Sequence, residues 1–297
     1  MNLGRILGLI LAAVWLAACV PQAGFGPGKD QKEVQLHYTM GINHLSEGKT
    51  PQAIKELTEA QKMSPSNADV EHALGLAYQQ KGLYDKSIEQ YKKALELEPK
   101  LTEARNNLGT VYLAKSMFEE AIKEFEQCLK DASYSTPEKA AYNLGVAYFN
   151  QKDLDKAIEY YEKAIALKDN NANALYNLAF CHEEKKAHGK AMEYYKKAIS
   201  MDPSFKEAYY RMGVVYEAQG EYPRVVDAMK KAIEIDPDYT AAQLLMGKTL
   251  IRTGNVQGGQ KKLEQVVKSD PEGNLGKEAE GEMAKLKQSK FKGIAKP

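Results

Sequence analysis

Glycine recurs in this chain at Gly41, Gly75, Gly109, Gly145, Gly213 and Gly247, with Ala179 filling the one register left open. Every step is 34 residues except that from Gly109 to Gly145, which is 36. In front of each stands a long apolar residue: Met40, Leu74, Leu108, Leu144, Leu178, Met212 and Met246. A second small column runs through Ala60, Ala94, Cys128, Ala164, Ala198, Ala232 and Val266, and Pro65, Pro99, Pro203, Pro237 and Pro271 close successive units. Within each unit apolar residues fall three and four apart in two blocks, the spacing of two amphipathic helices. Small residues at the glycine column let the paired helices approach closely. One such pair cannot bury its own apolar face, but stacked neighbours can, so the pattern predicts a linear array of helix pairs rather than one compact core.

The segments "VEHALGLAYQQKGLYDKSIEQYKKALELEP" (70–99), "ALYNLAFCHEEKKAHGKAMEYYKKAISMDP" (174–203) and "AYYRMGVVYEAQGEYPRVVDAMKKAIEIDP" (208–237) carry these columns together. Their Leu-Gly, Tyr, Ala and Pro positions resemble the tetratricopeptide repeat. Seven repeats are predicted, at 34–67, 68–101, 102–137, 138–171, 172–205, 206–239 and 240–273. No repeat carries the pattern's Trp, and Asp169 stands where Pro is expected. The resemblance implies an all-α, right-handed superhelical solenoid of seven helix pairs. Thr50-Pro51 is expected to supply an N-cap and first-turn proline to the second helix of repeat 1. Residues 274–297 are read as a capping helix, at 276–289 through Ala279, Met283 and Leu286, followed by a solvated basic tail of Lys287, Lys290, Lys292 and Lys296.

The N-terminus reads differently. Arg5 precedes an apolar segment from Ile6 to Leu16, then Ala17, Ala18 and Cys19, and the chain breaks into Pro21, Gly24, Gly26, Pro27 and Gly28. The run is short of the roughly 20 residues a membrane-spanning helix needs, and its layout is that of a secretory signal peptide. Leu16-Ala17-Ala18-Cys19 resembles a bacterial lipobox. That resemblance implies cleavage after residue 18, lipidation and acylation of Cys19, and residues 19–33 as a lipidated flexible tether with a reach of roughly 20 Å. Several acyl chains anchor firmly where one does not. With Val20 rather than Asp after the cysteine, the resemblance implies the outer membrane, facing the periplasm.

The chain of 297 residues has 41 basic and 40 acidic residues, and loss of residues 1–18 takes Arg5 and leaves the charges balanced. Such a balance gives no support to nucleic-acid binding. No H-E-x-x-H, C-x-x-C or G-x-S-x-G occurs. His44 and His182 occupy the repeat's Tyr column, where packing accounts for them, and Cys128 and Cys181 are separated by repeat 4 and are read as buried free thiols. The sequence carries no catalytic constellation, no cofactor site and no metal site, and the chain is read as a non-enzyme.

What remains is the concave surface that the repeat family lines with its first helices. Position five of the repeats reads Tyr38, His72, Asn106, Tyr142, Tyr176, Tyr210 and Leu244, and position six includes Asn107, Asn143 and Asn177. Positions nine and twelve add Phe149 and Phe180. Side-chain amides can donate to and accept from the backbone of an extended peptide, and aromatics add contact area with few rotors to freeze. Asn107, Tyr142, Asn143, Phe149, Tyr176, Asn177, Phe180 and Tyr210 are therefore the expected partner-binding groove, with the amides satisfied by water in the free protein. The lysines that form a carboxylate clamp in chaperone-binding members are missing, position five carrying no Lys.

Repeat 3 carries two extra residues, in "EQCLKDASYSTPEKAAYNLGVAY" (126–148). With the lipobox, this resembles the type IV pilus biogenesis and stability lipoproteins, the PilF/PilW/Tgl group of pilotins. The resemblance implies a scaffold that binds a protein or peptide, a secretin among the candidates, and assists secretin assembly. A rival resemblance is to NlpI-like lipoproteins, adaptors for periplasmic cell-wall enzymes.

Overall fold

The computed structural model describes residues 29–168 and 170–294, and among them there are fifteen helices and no strand. The lipobox with Cys19, the leader, Asp169 and Lys296 lie outside the described residues. The chain divides into two compact units, Met1–Asp131 and Ala132–Pro297. The first holds α1 (Lys29–Ser46), α2 (Thr50–Met63), α3 (Ala68–Gln80), α4 (Tyr84–Leu97), α5 (Thr102–Ala114) and α6 (Phe118–Lys130). The second holds α7 (Pro137–Asn150), α8 (Leu154–Leu167), α9 (Ala172–Glu184), α10 (His188–Met201), α11 (Lys206–Gln219), α12 (Tyr222–Ile235), α13 (Thr240–Arg252), α14 (Val256–Ser269) and α15 (Asn274–Ile294).

Consecutive helices pair as the period predicts, and the glycine column is the point of contact. A Cβ built on Gly75 would lie 2.5 Å from the Tyr91 ring, and one on Gly145 would lie 2.6 Å from Tyr161. Leu57, Phe125 and Leu263 stand in the same way against Gly41, Gly109 and Gly247. The large side chain of the second helix thus occupies the space a Cβ would need, and it is fully buried there: Leu57, Tyr91, Phe125, Met229 and Leu263 have no exposed surface.

The turn between the two helices of each pair is also repeated. Gly48, Gly82, Gly220 and Gly254 adopt positive φ, and so do Ser116, Lys152 and Lys186 at the same repeat position. In six of these seven turns the next residue reaches back to a carbonyl of the first helix, as in Leu83 N to Tyr78 O (2.9 Å) and Asp153 N to Tyr148 O (3.0 Å), which is a Schellman closure.

Three boundaries differ from the sequence reading. Helix α1 begins at Lys29, so residues 29–33 are helical rather than part of a tether; Gln31, Lys32 and Glu33 are good helix formers continuous with the apolar periodicity. Helix α2 is capped by Lys49, not Thr50, and the Thr50 hydroxyl instead donates to Gln80 Oε1 at 2.8 Å. Helix α15 runs through Ile294, which places Lys287, Lys290 and Lys292 on the helix rather than on a tail. Its buried Ala279, with Leu275 and Met283, packs on Leu244, Leu263 and Val266, so it covers the last helix pair.

Candidate functional site

The first helix of each pair alternates between residues that meet the next helix and residues left on the open side. Asn107 lies on α5 in the first unit. Tyr142, Asn143 and Phe149 on α7, Tyr176, Asn177 and Phe180 on α9, and Tyr210 on α11 lie in the second. All eight are half-buried.

Two of the three amides meet side chains of the protein itself. Asn177 Nδ2 donates to the Tyr142 hydroxyl at 3.0 Å, and Asn107 Nδ2 donates to His72 Nε2 at 2.9 Å. Both bonds join position six of one repeat to position five of the repeat before it. His72 can accept because burial pushes its imidazole down to about 4 and keeps it neutral. Burial likewise raises the Tyr142 hydroxyl, so it stays protonated. At the next step position six is Arg211, whose charge lies beside the Tyr176 hydroxyl and offsets part of the rise that burial gives it. Asn143 also has a polar or ring partner. Asn107 and Asn177 of the expected ladder are therefore clasps between stacked repeats. Leu245 holds position six in the last repeat, so Tyr210 has no such clasp and packs instead on Tyr239 at 5.5 Å.

Around Arg211 the second unit builds a row that the amide pattern did not reveal. Phe149 and Phe180 meet at 5.4 Å with planes tilted by 43°. The Arg211 guanidinium lies 4.0 Å over the Phe180 ring, and its Nη1 is 3.2 Å from Glu183 Oε1. Tyr195 donates to the other Glu183 oxygen at 2.6 Å. The Arg211 and Glu183 side chains are only 16% and 11% exposed. Burial holds the Glu183 carboxyl above its ordinary value, against the pull of Arg211. Tyr176 extends the row to Phe205 at 4.9 Å. Beside it, an open cleft of about 270 Å3 between α9, α10 and α11 is lined by Glu184, His188, Val214 and Ala218 among others. The signal that marks this row in the sequence is the one cation, Arg211, in the Asn column, with Glu183 at position twelve of the repeat before.

Such a row is a fixed surface with aromatic area, one partly covered cation and a limited number of free polar atoms. That suits recognition of a polypeptide segment. Among the described residues no three His, Cys, Asp or Glu side chains converge as a metal site, and no helix is long and apolar enough to cross a membrane.

Residues 66–133 and 137–204 match the tetratricopeptide repeat, and residues 207–239 match it again. The solved structure of PilF from Pseudomonas aeruginosa is similar with a TM-score of 0.66 at 20% identity, over 74% of this chain and 100% of its own. PilW, described as a widely conserved type IV pilus biogenesis factor, is similar with a TM-score of 0.57 at 20% identity, over 82% of this chain and 96% of its own. YrrB, described as a repeat protein with an unusual peptide-binding site, is 25% identical with a TM-score of 0.51, over 63% of this chain and 95% of its own. No curated protein matches the sequence.

Proposed function

This chain belongs to the tetratricopeptide repeat family, and from that membership we propose that it is a protein-binding scaffold held at the outer membrane, a pilotin that assists secretin assembly in type IV pilus biogenesis. The observation that carries the binding reading is the row of Phe149, Phe180, Arg211 and Tyr176 on α7, α9 and α11. Clasps and the Glu183 ion pair hold these side chains before any partner arrives, which lowers the ordering cost of binding. The pilotin role draws on the likeness to PilF and PilW and on the two-residue insertion in repeat 3. The anchor draws on the lipobox: Cys19 carries the lipid, and the body faces the periplasm.

The test is crosslinking of the lipidated protein in its own cells, with identification of what is captured. A secretin should be captured, and deletion should abolish secretin multimers. A Phe149→Ala/Phe180→Ala variant should lose capture by about ten-fold or more, since buried aromatic anchors dominate such interfaces. Unchanged multimers with altered cell-wall cleavage would refute the pilotin role in favour of an adaptor for cell-wall enzymes. Replacing Cys19 with Ser should release the protein from the membrane.

A further inference from the structure

Within a unit, the first helix packs on the helix pair that precedes it through the third and seventh positions of the repeat, as Val70 and Leu74 cluster with Leu57 and Ala60, and Ala208 with Ala191 and Tyr195. From the second repeat onward the third position is sealed, and the seventh is sealed in repeats 2 to 5, while Met212 and Met246 are half-buried. Val70, Ala104, Ala140, Ala174, Ala208 and Ala242 are 0% exposed, and Leu74, Leu108, Leu144 and Leu178 are at most 2% exposed. The equivalents on α1 are Leu36, 56% exposed, and Met40, 37% exposed. No helix among the described residues covers them. They stand four residues apart on one helix face, with Lys32 and Glu33, both exposed, a turn ahead. Leu36 is larger than the Ala that its column carries in five later repeats, so this face is not a copy of a repeat–repeat seam. It is an apolar face bare in the first repeat, whose third position is buried in the other six.

We propose that this face of α1 rests on the phospholipid surface to which Cys19 is attached, so that the first unit sits with its open end against the membrane. The inference rests on the lipid-anchor part of the function proposed above. Only residues 20–28 separate Cys19 from Lys29, where α1 begins. Nine residues span about 30 Å when fully extended, and a Gly-rich chain of that length has a typical reach of about 17 Å. The anchor therefore keeps α1 within about one helix length of the lipid, and among the described residues Leu36 and Met40 are the exposed large apolar residues nearest to it in the chain. A helix that presents apolar side chains beside a cation lies in the interfacial region rather than across it. Burial there would give the two residues the apolar surroundings that the preceding repeat gives their equivalents.

The test uses full-length, lipidated protein in mixed phosphatidylethanolamine–phosphatidylglycerol vesicles. Leu36→Cys is labelled with an environment-sensitive dye, and Leu97→Cys, at the exposed end of α4, serves as the reference. Cys128 and Cys181 are buried and escape labelling in the folded protein. The dye at 36 should emit to the blue of that at 97 and be quenched several-fold more by lipids carrying a quencher in the acyl region. Equal emission and no quenching at 36, in protein that still co-sediments with the vesicles, would overturn the docking while leaving the anchor intact. A blue shift without lipid quenching would also overturn it, because a second copy or residues 20–28 would then be the cover. Protein that lacks lipid on Cys19 and does not sediment would refute the anchor, and the docking with it.

Discussion

Asn177 donates its side-chain amide to the hydroxyl of Tyr142 at 3.0 Å, a bond that crosses from one repeat to the one before it. It answers where a buried-edge amide finds its partner, and it converts a presumed ligand contact into part of the scaffold. The prediction is energetic coupling. Asn177→Ala should lower stability by about 0.5–1.5 kcal/mol, and Tyr142→Phe should cost little more once Asn177 is gone. Thermal melts of the two single variants and the double variant give the coupling energy. A coupling indistinguishable from zero would show that the bond contributes nothing to the stack.

The Arg211–Glu183 pair makes a prediction with a pH sign. Arg211→Met leaves the Glu183 carboxylate nearly buried without its cation and should cost about 3 kcal/mol or more at neutral pH. Burial already raises the Glu183 carboxyl in the folded protein, and loss of Arg211 raises it further. A group whose folded value lies above its unfolded value binds more protons when folded, so its contribution is present at low pH and lost as pH rises through the folded value. The deficit of Arg211→Met should therefore shrink on acidification through the carboxylate range. Adding Glu183→Gln should recover much of the loss at neutral pH. Denaturant titrations across pH check both, and a deficit that grows with acidity would contradict the assignment.

At the turn within each pair, Lys152 and Lys186 hold φ of 65° and 60°, where four sister repeats use glycine. A side chain there costs roughly 1–2 kcal/mol, and glycine returns about 0.5–1 kcal/mol of that as unfolded-state entropy. Lys152→Gly and Lys186→Gly should each raise stability by about 0.5–1 kcal/mol. The reverse change, Gly82→Ala, should destabilise. Differential melting of the three variants decides it.

Gly145 faces Tyr161 so closely that Gly145→Leu should destabilise the second unit by about 3 kcal/mol or more through overpacking. Gly145→Ala should be milder, because Ala179 is accepted in the same core as Tyr195 one repeat later. Equal melting temperatures for Gly145→Leu and the parent chain would show that the helix pair is not held at this point.

Burial pushes the Cys128 and Cys181 thiols up to about 12, each mainly through desolvation. Neither should react with a thiol reagent in the folded protein at mildly alkaline pH, and both should react after unfolding without reductant. Recovery of a Cys128–Cys181 disulfide would contradict their burial as two free thiols.

The repeat, the helix pairs and the covering helix at the end were legible from the sequence because each follows from local spacing. A glycine every 34 residues, apolar residues three and four apart and a break at proline act within one pair of helices. The candidate site was legible in its positions but not in its partners. Asn177 and Tyr142 are 35 residues apart, and Arg211 and Glu183 are 28 apart, so each bond exists only once two repeats are stacked. A column of Asn reads the same whether its amides meet a ligand, water or the repeat before. Leu36 and Val70 likewise share one pattern position, and only packing leaves the first bare and seals the second. Local periodicity chooses the face of a helix; the geometry of stacking chooses what that face meets.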